Sequence, residues 1–354
     1  MKINHNLYSN LAFNLAEKNL GKTNINPSVG CVVVKNNSVI SSAVTSINGR
    51  PHAEFIALDK DINFKNSNMY ITLEPCTHYG KTPPCINIIR KKKIKNVFYI
   101  FDDPDVRTNQ KAKKILENIR KIKIKNPKFK KFYKSYFLNK KNSFPMIDAK
   151  LAISKDYFTI NKETKWITNS RSRKVAHLIR SNYDCIVSTS QSINKDNSLL
   201  NCRIDGLNNN KPDLIIIDRY LKLKKNLKIY NLLNTRKTFI FTMSNDKRKI
   251  TFLKKKKFKV IKINNLENKT DFYNLFKIIM KIGKGRILIE TGLTFLKKLY
   301  KLKFLNKLYL FKSNNLLRNK GLNNTEINFI KKLRFKKKVN VYLDNDELFT
   351  VRIK

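Results

Sequence analysis

An α/β protein of two successive domains is what this sequence predicts, and three observations predict it. Its 354 residues leave room for two domains of about 150 residues, each large enough to bury a core without disulfides. Short β-branched runs alternate with amphipathic helical stretches along nearly the whole chain. The alternation restarts near Pro145, behind the lysine-rich stretch 130–142, so the boundary is expected at residues 141–147 and the domains at 1–145 and 146–354.

In the first half, Leu7, Leu11 and Leu15 recur at helical spacing and Gly21 suits a C-terminal stop, so residues 7–20 are expected as a helix. The β-branched runs 29–35 and 39–46 flank Asn36 and Asn37, a pair that tolerates the positive φ of a hairpin turn. A short helix over 53–60 and a strand over 69–74 follow. Thr82 then reads as an N-cap and Pro83 as the first position of a helix passing Cys85, Ile88 and Ile89. A strand over 97–101 and a helix over 110–119 complete a mixed-sheet unit.

The second half opens on the strand IDAKLAIS at 147–154. Further strands are expected at 185–190, 213–218, 238–243, 259–263, 286–290, 307–311 and 339–343, with helices near 170–181, 271–282 and 294–301. That alternation means a largely parallel sheet covered on both faces. The Asn-rich stretch 205–211 reads as a loop.

Composition bounds the function. With 41% apolar and 10% aromatic residues the chain can pack a core, which sets intrinsic disorder aside. Lys and Arg number 75 against 25 Asp and Glu, a formal charge of +50. The lysines are spread through the whole chain, so the charge reads as a solvated background and no specific nucleic-acid partner is expected. No run approaches the roughly 18 apolar residues of a membrane helix, and the amphipathic start lacks a signal-peptide core. A cytoplasmic protein without a membrane partner is expected. Five irregularly spaced cysteines argue against a disulfide framework and for metal or nucleophile chemistry.

That chemistry has a place. His52-Ala53-Glu54 precedes Pro75-Cys76 by about two dozen residues, and Cys85 stands nine beyond Cys76. Catalytic zinc takes three protein ligands and keeps a fourth position for water; His52, Cys76 and Cys85 supply three. Glu54 would sit beside that water, take its proton and pass it to a leaving amine, the arrangement of zinc deaminases. Cys85 in the first turn of a helix gains thiolate character from the helix N-terminus. His78 is left as a loop residue near the site.

The motifs NPSVGCVVVK (26–35), PHAE (51–54), TLEPCTHYGKTPPC (72–85) and DDP (102–104) resemble the deaminase half of the bifunctional riboflavin-biosynthesis deaminase-reductases. Eight residues separate the two cysteines, as in that family, whereas nucleoside and polynucleotide deaminases usually carry Pro-Cys-x-x-Cys. By residue type alone the second half shows only an α/β crevice, with a weak dinucleotide signal where Thr291-Gly292 leads into a helix. KLAISKD (150–156), KWITN (165–169), STSQSINKDNSLLNCR (188–203), LIIIDR (214–219) and IETGLTF (289–295) extend the resemblance to the family's dihydrofolate-reductase-like reductase domain.

The resemblance implies a cytidine-deaminase-like domain followed by that reductase domain, with Zn2+ and NADPH as cofactors. It implies hydrolytic deamination of a phosphoribosylated diaminopyrimidinone, then reduction of its ribosyl to a ribityl chain. Ala152, Trp166, Ser192, Asp196, Arg219, Gly292, Leu293 and Thr294 would line the NADPH site. Thr164, Arg180, Leu200, Arg203 and Glu290 would face the substrate; two arginines suit a ribose phosphate and Glu290 a polar sugar contact. The sequence departs from the family at Tyr157, Asn197 and Arg219, and at Gln110 and Ala112 where glycines are common. The alternatives are a zinc-dependent nucleic-acid (tRNA) deaminase, a deaminase with an inactive second domain, and a non-catalytic RNA-binding protein with structural zinc. Oligomeric state stays open, a homo-oligomer included.

Overall fold

The computed structural model describes residues 4–122, 127–207, 212–324, 333 and 338–353. The chain divides into two units, Met1–Phe144 and Pro145–Lys354, each with its own sheet. All five cysteines are free thiols. Among the described residues no helix is long and apolar enough to cross a membrane.

The first unit runs α1 (His5–Glu17), β1 (Gly30–Lys35), β2 (Ser38–Val44), α2 (Ala53–Leu58), β3 (Asn68–Leu73), α3 (Cys85–Lys91), β4 (Asn96–Phe101), α4 (Ala112–Ile115), β5 (Ile119–Lys121), α5 (Pro127–Phe132) and α6 (Lys134–Asn142). Its sheet has the order β2-β1-β3-β4-β5. β1 is antiparallel to β2 and β3, while β3, β4 and β5 are parallel, so the sheet is mixed. Asn36 and Asn37 take φ of 49° and 61° in the β1–β2 turn.

α1 begins where the Asn4 side chain accepts the Leu7 N–H, and it ends before Gly21, whose φ is 77°. Its period is as expected but its face is not. Leu7 and Leu11 are exposed, and Tyr8, Ala12, Phe13 and Ala16 are buried. The reason is close packing on β1: a Cβ on Gly30 would lie 1.7 Å from the Ala12 carbonyl oxygen, so small residues, not leucines, face the sheet there.

Two expectations for this unit need correction. Thr82 is not an N-cap: α3 starts at Cys85 after Pro84, and the Thr82 hydroxyl accepts from the Arg50 guanidinium. The helix expected over 110–119 shrinks to Ala112–Ile115, because Ile119–Lys121 extends the sheet as β5. The lysine-rich stretch before the boundary is helical, and Phe132, Tyr133 and Tyr136 from it enter the core with Phe13, Ile71 and Tyr99. Lysines at intervening positions hide that face from a charge-based reading.

The second unit runs β6 (Met146–Ile153), β7 (Phe158–Asn161), α7 (Ser170–Ser181), β8 (Cys185–Thr189), α8 (Ser190–Asp196), β9 (Asp213–Ile217), β10 (Thr238–Thr242), α9 (Lys247–Lys255), β11 (Lys259–Lys262), α10 (Lys269–Lys281), β12 (Arg286–Ile289), α11 (Leu293–Lys301), β13 (Lys307–Lys312), β14 (Gly321–Asn324) and β15 (Glu347–Arg352). Eight strands form one sheet in the order β11-β10-β9-β8-β12-β6-β13-β15, parallel except for β15. Leu214, Ile215, Ile216, Ile287, Leu288 and Ile289 are all fully buried, as successive residues are in a sheet covered on both faces.

The segment 339–343 is not a strand of this sheet. Among the described residues it carries no ladder: Val339 donates its N–H to the Leu348 carbonyl at 2.8 Å beside an isolated bridge at Lys338, and the antiparallel edge strand is β15, which buries Leu348 and Val351. The short pair β7–β14 and the helices α8 and α9 were not expected. The loop expected over 205–211 lies partly outside the described residues.

Candidate active sites

In the first unit the chain delivers three soft ligands to one point. β3 runs into the loop of Cys76, Cys85 opens α3, and His52 is the N-cap of α2. His52 Nδ1 lies 3.3 Å from Cys85 Sγ and 3.6 Å from Cys76 Sγ, and all three ligand atoms lie within 4.8 Å of one another. Tetrahedral zinc bonded to one imidazole nitrogen and one thiolate would hold those two atoms about 3.6 Å apart, so the cluster already has the spacing of zinc ligands. The nitrogen facing the thiols is Nδ1, a detail the motif spacing does not contain.

Electrostatics follow from packing. The Cys76 thiol is lowered to about 4, first by a hydrogen bond from the Cys85 thiol and, against burial, by His52; the Cys85 backbone N–H also donates to its sulfur at 3.3 Å. Cys85 is raised for the complementary reason, with burial added. Burial raises Glu54, which is 4% exposed in the first turn of α2, and His52 opposes that rise. Burial disfavours the His52 cation, yet Cys76 and Glu54 lift its pKa above the ordinary value. His78 is outside the ligand cluster, with its Nδ1 3.0 Å from the Thr108 hydroxyl.

Sequence reasoning passed over Glu74, two residues before Cys76. Its buried carboxylate accepts the backbone N–H groups of Asp103 at 3.2 Å, Gln110 at 3.0 Å and Ala112 at 3.2 Å. Gln110 keeps φ at 55°, so the turn where family glycines are common survives their loss with Glu74 holding it. Asp103 accepts the Tyr136 hydroxyl at 2.8 Å and the Asp105 N–H at 2.9 Å, and burial pushes its carboxyl up to about 6. A carboxyl raised on folding costs stability as pH rises from its unfolded value, about 4, through 6. Asp103→Asn keeps an oxygen for both bonds and is expected to stabilise the protein by up to about 2 kcal/mol at pH 7.5, with the gap closing toward pH 4. Thermal unfolding of both proteins across that range tests it; a pH-independent difference would refute the assignment.

In the second unit, two groups of the expected residues come together. The first is at the carboxyl ends of the adjacent strands β8 and β12. The Ser192 hydroxyl accepts the Gly292 N–H at 3.0 Å and lies 3.0 Å from the Thr189 hydroxyl. Gly292 is the N-cap of α11, so the first-turn residues Leu293 and Thr294 follow it directly. A Cβ on Gly292 would meet nothing nearer than Ser192 Oγ at 3.5 Å, so the protein itself does not require glycine there.

The second group is ionic. Arg180 grips Glu290 with both arms, Nε to Oε1 at 2.6 Å and an Nη to Oε2 at 2.9 Å, and Lys150 Nζ lies 3.8 Å from the same carboxylate. Burial would raise Glu290, but the Arg180 and Lys150 charges hold it at about 2. Burial lowers Lys150, a residue the sequence reading did not single out. Arg203 donates to the Asn201 side chain at 2.7 Å, and Arg180 donates to the Asn201 carbonyl at 3.1 Å. Leu200 is buried with φ of 47°.

Asp196, raised by burial, feels the charges of Lys195, Lys165 and Lys150. Thr164 donates to the Trp166 carbonyl at 3.1 Å, and the exposed Trp166 ring carries the Arg173 guanidinium at 4.6 Å. Ala152 packs against the buried cluster of Ala176 and Phe311. Arg219, just beyond β9, reaches Asn265 at 3.4 Å and the Tyr220 hydroxyl at 3.2 Å. Among the described residues no hydrogen bond joins Thr164, Trp166 or Arg219 to either group. Tyr157, a departure where the resemblance expects glycine, takes a left-handed φ of 68°, and Asn197, where the resemblance expects an aspartate, takes φ of 44°.

Comparison with known proteins agrees with both halves. Residues 2–101 match the family model of the cytidine and deoxycytidylate deaminase zinc-binding region, and residues 145–317 match that of the RibD C-terminal domain. The riboflavin biosynthesis protein RibD of Buchnera aphidicola is 31% identical over 88% of this chain and 87% of its own. That of Aquifex aeolicus is 29% identical over 86% and 85%. Acinetobacter baumannii RibD, in one crystal form, superposes with a TM-score of 0.83 at 24% identity, covering 98% of each chain. The similarity therefore runs through the zinc-ligand cluster and the Arg180–Glu290 ion pair alike, and the chain belongs to the family of the riboflavin biosynthesis protein RibD.

Proposed function

We propose that this chain catalyses two consecutive steps of riboflavin biosynthesis, deamination of a phosphoribosylated diaminopyrimidinone in the first unit and NADPH-dependent reduction of its ribosyl group in the second. The observation that carries the reading is the imidazole and thiol pair of ligands at zinc spacing beside a buried glutamate. His52 through Nδ1, Cys76 and Cys85 hold the metal. Bound there, zinc supplies the Lewis acidity that makes water a nucleophile near neutral pH. Glu54 takes a proton from the water and delivers it to the departing amine; water adds, ammonia leaves, and a ring carbonyl remains.

In the second unit, Ser192, Gly292, Leu293 and Thr294 receive the dinucleotide phosphates at the start of α11, where the missing Cβ of Gly292 admits a close approach. Ala152, Trp166, Asp196 and Arg219 line the rest of that site. NADPH supplies the hydride. Arg203 meets the ribose phosphate, Glu290 takes the sugar, Arg180 holds Glu290 in place, and Thr164 and Leu200 complete the substrate side. The +50 charge is background, the protein works in the cytoplasm without a specific nucleic-acid partner, and a homo-oligomer is compatible with this reading. A nucleic-acid deaminase is disfavoured because the relatives align through the second half as well.

The test is product mass after incubation with the diaminopyrimidine nucleotide. The deaminated ribosyl compound is expected without NADPH and the ribityl compound with it. Deamination confined to a base in bound RNA would replace this reading with the nucleic-acid one.

A further inference from the structure

Arg236 is 7% exposed and has no obvious business being charged. It stands just before β10, and no carboxylate forms an ion pair with it among the described residues; Asp213, the nearest acidic influence, is paired with Lys284 at 2.7 Å. Among the described residues its Nε has no hydrogen-bond partner. Burial lowers its pKa to about 9. An uncompensated buried guanidinium costs several kcal/mol, and a well-packed apolar side chain would avoid that cost.

What the guanidinium holds is a short piece of backbone. One Nη donates to the Leu200 carbonyl and, at 3.3 Å, to that of Pro212; the other donates to the Leu199 carbonyl. The next carbonyl, of Asn201, accepts from Arg180 at 3.1 Å and lies 2.8 Å from His177 Nδ1. Three successive carbonyls, 199 to 201, are thus gripped from two sides by long basic side chains. Between them sits Leu200 in the left-handed region, at φ 47°, a conformation that costs a branched residue about 1–2 kcal/mol. Three residues after Leu200 is Arg203, whose guanidinium donates to the Asn201 side chain.

We propose that Arg236 is a positioning residue of the reductase site: it fixes the strained 199–201 backbone so that Leu200 and Arg203 meet the pyrimidine substrate in one geometry. The inference rests on the reading of Arg203 as a substrate contact. A residue that acts on the substrate side alone moves KM for the pyrimidine and leaves the cofactor untouched, whereas a merely structural residue changes the amount of active protein.

The experiment measures NADPH oxidation with the deaminated pyrimidine nucleotide for Arg236→Lys, Arg236→Gln and Arg203→Ala in the full chain, with deaminase activity and thermal unfolding of the same samples. Arg236→Gln is expected to raise the pyrimidine KM about tenfold, with kcat and the NADPH KM within about twofold, and Arg236→Lys to fall between it and wild type. Deaminase activity should not change. An unchanged pyrimidine KM in both Arg236 variants, or a loss of kcat alone in proportion to unfolded protein, would overturn the proposal. Should Arg236→Gln yield no folded reductase unit, the lysine variant decides by the same criterion. If Arg203→Ala raises the pyrimidine KM while the Arg236 variants do not, the clamp fails alone; if Arg203→Ala has no effect, the substrate reading of Arg203 fails, and a raised KM in the Arg236 variants then assigns the clamp to Leu200.

Discussion

Glu54→Gln is expected to retain about one zinc per chain and to lose ammonia release by at least about a thousandfold, because the ligands survive and only the proton carrier goes. Glu54 is not among the three ligands, and its carboxyl is buried beside them. Glutamine fills the same space but cannot accept the proton from water or return it to the amine, so two proton transfers fail with one substitution. Each such transfer is commonly worth about 10²–10⁴ in rate. Metal analysis and an ammonia assay on the same sample settle the matter. Wild-type protein without zinc would remove the metal centre from the account, and an active Glu54→Gln variant would remove the proton carrier.

His52, Glu54, Cys76 and Cys85 are legible because ligand chemistry restricts them to a few residue types at helix starts and strand ends, and the hairpin at Asn36-Asn37 is legible because so few residues accept its φ. What was illegible depends on partners far along the chain. The inward face of α1 is set by its close approach to Gly30, not by its own leucines. Tyr133 looks like one aromatic among lysines, yet its hydroxyl reaches Thr72 and the Ser28 carbonyl across the unit. Glu74, Lys150 and Arg236 matter through buried backbone and ion contacts that no local pattern announces. The segment 339–343 has the alternation of a strand, but the sheet edge is taken by β15, a competition that only the tertiary fold decides.

The second large effect separates the two halves of the chain. Cys85→Ser is expected to abolish deamination while a supplied deaminated intermediate is still reduced, and Arg203→Ala is expected to weaken the reduction while leaving deamination intact. Cys85 supplies one of three ligands and anchors the hydrogen bond that keeps the Cys76 thiol near 4; serine offers a far poorer zinc ligand and removes the thiol donor. The ion group around Glu290 belongs to the second unit, which has its own sheet. Arg203 in turn gives a charge-assisted contact to the substrate phosphate, and losing one such contact costs about 1.5–3 kcal/mol, or about 10- to 150-fold in kcat/KM. The measurement is NADPH absorbance with the intermediate supplied, beside ammonia release from the diamino substrate, for both variants. Equal damage to both activities in either variant would contradict the division of labour. NADPH left unoxidised by folded wild-type protein would mean that Tyr157, Asn197 and Arg219, the departures from the family pattern, have cost the second unit its chemistry, and the chain would then be a deaminase joined to an inactive reductase fold.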